Sequence, residues 1–420
     1  MKTNLKRILR DQAGATAIIV GLTLPVVAGM GMLGVDAAVW YSERRDLQTA
    51  VDAAALAGAL HKAYGYGVSS VTNIATRDAQ RNGFTPANGS ITINDPPPNG
   101  PGAGDPSAVE VILIENLPIF YARLLGQQAA TVTVRATAGT TIDDEFCILG
   151  LDPTMDASVD VQGNATVNMS CGIAVNSTSA EALSIAGSVS ITASSASISG
   201  NMHISGNPVV NFSEPPRTGQ PPVVDPYADL DVPPFGACDY TNVTAKNAET
   251  HGPGVYCGGL KANAGAVVDL DPGVYILAGG SFDIAGGATV RGDDVTFILT
   301  DDAGGNYATV KINGGATMDL NAPTSGDWAG ILFYQDRDAP SYQGANVITN
   351  TFTGGADMVF NGAVYFPSQA IQYTGNASVA SDCLQIVGKQ VIMTGNSQLA
   401  NNCAGRGTET LGVARVRLLR

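Results

Sequence analysis

The chain has 420 residues, of which 45% are apolar, 14% are charged and 50 are glycine, and its formal net charge is −15. That length exceeds one ordinary core and suits two or three domains or a long solenoid, while the apolar content excludes wholesale disorder. Without Lys2, Lys6, Arg7, Arg10 and Asp11, the remainder holds 18 bases against 36 acids. An acidic surface of that kind repels phosphate and argues against a nucleic-acid partner.

The first element is a membrane span. A basic stretch, MKTNLKRILRD, precedes 23 uncharged residues from Ala13 to Val35, which as a helix reach about 34 Å, enough to cross the hydrocarbon core. Pro25 and the glycines are tolerated there. The basic flank keeps the N-terminus cytoplasmic and places the rest outside. The rival is a cleavable signal peptide ending near Val35–Ala37, but the apolar run is long for one. Beyond the span, Ala38, Tyr41, Ala50, Ala54 and Ala57 sit at helical spacing, charges at Glu43, Arg44, Arg45, Asp46 and Asp52 suit water, and Trp40 and Tyr41 suit the interface.

These residues resemble a known family. The run RDQAGATAIIVGLTLPVV, then GVD, then RRDLQTAVDAAALAGA is similar to the N-terminal region of TadG-like proteins of the bacterial Flp/Tad (tight-adherence) pilus-assembly machinery. The shared features are Pro25, Asp36 closing the span, and the run from Leu47 to Ala57. Pilin-like members are cut after a Gly and carry a Glu five residues on. Ile19 stands at that position after Gly14, so the resemblance implies an uncut anchor. It implies as partners the inner membrane and other Tad/Flp pilus-assembly or pilin-like proteins.

Residues 66–145 predict a small α+β domain with strands at Ser90–Asn94, Ala108–Asn116 and Ala130–Ala138 and a short helix over Leu117–Gly126. Asp95–Pro106 is a Gly/Pro loop. Its layout is pilin-like by analogy.

A short pattern then repeats: GNATV (163–167), GSVSI (187–191), GNMHI (200–204), GGATV (286–290), GGATM (314–318), GGADM (354–358), GNASV (375–379) and GNSQL (395–399). The fifth residue is always apolar. Spacings of 20 to 24 residues recur, those of 28 and 40 imply an inserted loop or a skipped copy, and the 13-residue step from Gly187 to Gly200 does not fit. A period near 20 with a Gly corner predicts a parallel β-helix, a mainly β fold. Val290 and its equivalents then face inward and Thr289, Thr317 and Ser378 outward. Asn164, Asn201, Asn376 and Asn396 either stack as an amide ladder or are ordinary turn residues.

The six cysteines fall into consecutive pairs 24, 19 and 20 residues apart. Residues one coil apart stack, so the spacing predicts the disulfides Cys147–Cys171, Cys238–Cys257 and Cys383–Cys403 and an oxidising compartment. No C-x-x-C or clustered His favours a metal.

The prolines of Ser213–Phe235 forbid a regular ladder. The expected organisation is therefore an anchor and continuing helix (1–65), the α+β domain (66–145), a first β-helix part (146–212), a Pro-rich linker (213–236), and a second β-helix part with a C-terminal strand (237–420). That last strand, in GVARVRLLR, is expected to cover an open solenoid end.

For chemistry, Asp293–Asp294 and Asp301–Asp302 are the candidate glycosidase carboxylates, and both sit in turn-like contexts. No Ser/His/Asp arrangement is legible among His61, His203 and His251, and the RGD at Arg291–Asp293 is a bare tripeptide. DASVD (Asp156–Asp160) is similar to the metal motif of a von Willebrand-type domain in some TadG-like proteins, but Asp160 replaces its last Ser and the site is not carried over. CILGLDP (147–153), GILFYQDR (330–337) and GAVYFPSQ (362–369) resemble the β-rich exported parts of that family. The expectation is a non-enzymatic, single-pass inner-membrane assembly component with its bulk periplasmic and with no cofactor, metal or catalytic residue. The alternatives are a polysaccharide-active β-helix enzyme and a surface adhesin.

Overall fold

The computed structural model describes residues 12–64, 66–118, 129–343, 346–353, 357–374, 381–399, 402–403 and 405–419. The chain is mainly β and divides into two compact units, Met1–Thr141 with Ala414–Arg420, and Ile142–Val413.

In the first unit, α1 runs from Gln12 to Ala63 and carries Pro25 inside it. Its N-terminal half is apolar and bare: Ile18, Leu22, Val27 and Met30 are each at least 65% exposed, a surface suited to lipid rather than water. Its C-terminal half buries Leu47, Ala50, Val51, Ala54, Ala55 and Ala59. That face meets α2 (Val68–Arg81) and the antiparallel sheet of β1 (Gly89–Asn94), β2 (Val109–Pro118) and β3 (Ala129–Gly150). Small residues permit the approach, and a Cβ on Gly58 would stand 3.2 Å from Val109. The helix α2 is additional to the sequence expectation. Its signal was present in buried Val71, Ala75 and Ala79 at helical spacing and in Gly83 just past its end. The helix expected over Leu117–Gly126 lies outside the described residues beyond Pro118, and Leu117 and Pro118 belong to β2.

The second unit is a three-faced parallel solenoid. Each coil places one strand on each face and turns a corner between them. On the first face the inward column runs Tyr275–Phe297–Phe333–Val364–Ile386–Ile148–Ile173–Ala196. On the second it runs Ile284–Ile312–Phe352–Tyr373–Met393–Val161–Ile185–Ile204. The third stacks Val268–Val290–Met318–Met358 in its lower part and Val167–Ile191–Val210 in its upper part. Aromatic rings stack along the first column, with centroids 5.4 Å apart for Tyr275–Phe297 and 5.0 Å for Phe297–Phe333.

The order of these columns is not the order of the chain. Residues 240–399 climb coil by coil, and the next coil above Leu384–Leu399 is residues 146–169, followed by 172–193 and 196–212. The two blocks therefore join at a seam across which Ile386 meets Ile148 and Val391 meets Val159. Segment 213–239 returns from the upper end to the lower, a descent of nine rungs or about 43 Å.

The register resolves the misfit step. Gly163, Gly187 and Gly206 stack at one corner with φ 84, 97 and 86°, so the third corner is GNPVV at 206–210. GNMHI is corrected to a second-face strand, and its Ile204 pairs with Ile185. The 40-residue spacing is a single coil with inserted loops, since Met318 pairs with Met358. The copy at 375–379, with Asn376 and Ser378, lies outside the described residues. The amide ladder through Asn201 does not form, because Asn201 leaves that corner as well. A different ladder occupies another corner. Asn361 Nδ2 donates to Asn321 Oδ1 at 2.7 Å, and Asn321 Nδ2 donates to Asp293 Oδ1 at 2.7 Å.

The C-terminal strand Gly412–Leu419 exists, but the expectation that it covers an open solenoid end is corrected. Val416 and Leu418 pack on the apolar core of the first unit, and Leu419 lies near Gly102 and Gly139.

Candidate functional site

The cysteine pairs bracket the coils. Cys147 and Cys171 have Cα atoms 5.7 Å apart, Cys238 and Cys257 5.7 Å, and Cys383 and Cys403 4.7 Å, and each pair is disulfide-bonded. Cys147–Cys171 staples the two coils above the seam, Cys383–Cys403 the coil below it, and Cys238–Cys257 the lower end.

Of the sequence candidates for acid–base chemistry, Asp301 and Asp302 hold a turn, whereas Asp293 and Asp294 stand at a corner between coils. Asp302 accepts hydrogen bonds from the Asn306 side chain and the Gly304 N–H, and these hold its carboxyl below the usual range. Asp294 sits at φ 54° and Asp293 anchors the asparagine ladder. Both line a cleft of about 290 Å³ with Asn321, Asn361 and Arg406. Asp160 is the acid that burial raises, opposed by a hydrogen bond with Ser184. Asp156 accepts from Ser179. The exposed Arg291 of the RGD tripeptide lies in register between Asp269 and Asp319. His61 bonds Ser70 at 2.9 Å, His203 is exposed and His251 lies 3.6 Å from Glu249, so no two histidines share a site. Among the described residues no three His, Cys, Asp or Glu converge as metal ligands would.

The constructed feature is the covering of the first face. Its outward residues are also apolar: Ala174, Leu149, Val387, Tyr365, Tyr334, Ile298, Ile276 and Val255 form one buried stripe. A face open to water would alternate, yet Val295–Thr300 and Ile331–Gln335 are buried throughout. The Pro-rich segment supplies the cover as a strap. Asn176 and Val223 exchange two hydrogen bonds of 2.8 and 2.7 Å above the seam. Below it Asp225 accepts from the Tyr365 hydroxyl at 2.7 Å and from Arg337 at 3.2 Å. Tyr227 donates to Gln385 Oε1 at 2.9 Å, and Tyr334 donates to the Leu230 carbonyl. Burial, then the Asp225 charge, raises the Tyr365 hydroxyl above its ordinary value, and burial pushes Tyr334 to about 12. Sequence reasoning found the strap as a proline-rich break but not its target.

The other two faces present ladders of polar residues. Lys261, Asp283 and Lys311 alternate in register on the second face and Asp269, Arg291 and Asp319 on the third. Opposite charges directly across a ladder contribute about 0.2–1 kcal/mol each. Such faces are suited to contact with other macromolecules rather than to enclosing a small substrate.

Residues 14–61 match the family model of Tad, described as Flp pilus-assembly TadE/G-like. No curated protein and no solved structure matched the chain. The match falls on α1. The apolar half of that helix is long and apolar enough to cross a membrane.

Proposed function

We propose that the protein is a non-enzymatic, membrane-anchored assembly or structural component of a bacterial Flp/Tad-type pilus or secretion system. Its N-terminus is cytoplasmic, and the disulfide-linked solenoid stands outside the inner membrane, where oxidation of the three cysteine pairs takes place. The observation that carries this reading is the TadE/G-like match at 14–61 on a helix whose apolar half is exposed and whose other half is built into a folded unit. The turn-bound carboxylates support a mechanical role over hydrolysis. The partners are the inner membrane and other Tad/Flp pilus-assembly or pilin-like proteins.

The test is a deletion strain scored for surface pili. Wild type should restore piliation, and so should a variant carrying Asp293→Asn and Asp294→Asn. Pili in the deletion strain at wild-type number would reject the assembly role. Cleavage of glycans by the wild type that the double variant loses would reject the non-enzymatic one.

A further inference from the structure

The two ends of the solenoid are finished differently. At the lower end the strand Tyr240–Ala245 shifts register between Thr241 and Val243, with Asn242 at φ 48°. Lys246 stands exposed beside it, Glu249 follows, and Cys238–Cys257 staples the coil. A bulge, charges and a crosslink are the devices that keep an edge strand from recruiting another chain. At the upper end the first-face strand Ala196–Ile198 is covered, since Arg217 bridges onto Ser197, but the strands of the other two faces carry no bulge, charge or crosslink. Among the described residues, Met202–Gly206 pairs only with Leu183–Gly187, and Val209–Phe212 only with Ser190–Ala193. Ile204, at the end of the inward column, is 46% exposed, and Val209 is 56% exposed. Met202, Val210 and Phe212 complete the partly covered apolar end.

Charge identifies the occupant. From Ala182 to Ser213 there is no Asp, Glu, Lys or Arg, in a chain whose net charge is −15. Two copies repel each other over most of their surface, but the open strands of the second and third faces can meet without like-charge cost. Head-to-tail stacking would use the blunted lower end, whereas a two-fold arrangement uses the open end twice.

We propose that the upper solenoid end is a self-association surface. A second copy of this chain docks on it about a two-fold axis, so that the open strands of the two terminal coils pair antiparallel and cover Ile204 and Val209. The seam shows that coils distant in sequence can already dock edge to edge in this fold. This inference does not depend on the pilus reading.

The experiment uses the full chain in native membranes and a short bismaleimide crosslinker. His203→Cys, exposed on the open strand, should give a crosslinked dimer of this chain, and Thr241→Cys, exposed at the blunted end, should not. Adding Ile204→Lys and Val209→Lys to His203→Cys should abolish the dimer. Ile204 ends its column nearly half exposed and Val209 is more than half exposed, so a long lysine at either can reach solvent. No dimer from His203→Cys, equal dimer from Thr241→Cys, a dimer that survives the lysines, or crosslinking to a different protein would each overturn the proposal. The comparison of the two single-cysteine proteins decides the matter even if the triple variant fails to accumulate.

Discussion

At the scale of single residues, the corner glycines carry the most specific demands. Gly187 stands at φ 97°, and a Cβ there would lie 2.6 Å from the Gly163 carbonyl oxygen. Gly265 also has a positive φ of 81°, but a Cβ would meet nothing within 4 Å. Gly265→Ala should therefore cost only the conformational penalty of about 1–2 kcal/mol. Gly187→Ala adds a clash with backbone that cannot swing away, and should cost more, on the order of 3 kcal/mol. Chemical denaturation of the two variants checks this, and equal losses would refute the stacked corner. The apolar fifth position was legible because Val167, Val290 and Met318 repeat it in plain view. Ile204 fitted the same pattern and yet belongs to another face. Five residues carry no record of which strand they pair with, and only the register distinguishes Gly200 from Gly206.

At the scale of elements, the strap and the first face depend on each other. The proline run was readable as a segment unable to join a ladder. Its target was not, because Asp225, Arg337 and Tyr365 meet across more than a hundred residues. The doubly buried strands gave a hint: ILFY at 331–334 lacks the alternation of TVKI at 309–312. Asp225→Ala leaves the Tyr365 hydroxyl without its acceptor and takes one of two from Arg337, which keeps the Tyr227 carbonyl, at a cost of about 1–3 kcal/mol. The strap should then loosen, and limited proteolysis should cut within 213–236 while the coils remain intact. Unchanged resistance would argue that the strap is held by its apolar contacts alone. The tyrosines add a pH dependence. Tyr227, Tyr334 and Tyr365 are all raised by burial, Tyr334 to about 12, against about 10 in an unfolded chain. The folded state holds these protons more tightly. Their stabilisation is complete below about pH 10 and is lost as pH rises through the folded values. Stability measured from pH 8 to 12 should fall steeply from about pH 10, and Tyr365→Phe should make that fall shallower. An identical slope in the variant would contradict the assignment.

At the scale of the whole second unit, the seam governs how it holds together. Each disulfide lies within one block, so the coil ending at Leu399 and the coil beginning at Phe146 are joined without a covalent crosslink, by hydrogen bonds, packing, the strap and the Lys389–Asp152 ion pair at 3.6 Å. Nearest-neighbour contacts dominate a solenoid, and a defect at one interface weakens both sides of it. The N-terminal block, 146–212, meets the other only when residues 384–399 are in place, about 230 positions later in the chain. No local pattern announces this, because a repeat of near 20 residues fixes the coil but not the order in which coils stack. Val391 is fully buried against Val159 at the joint. Val391→Asp puts a carboxylate into that apolar column, where burial without a partner is costly. Val268, also buried and inward but many coils lower, provides the control. Hydrogen exchange followed by mass spectrometry should show Val391→Asp exposing 159–163 and 390–393 together while 267–300 stays protected. Val268→Asp should show the reverse. Loss of protection along the entire unit in both variants would mean that the solenoid is one cooperative body, and the seam would then have no independent mechanical role.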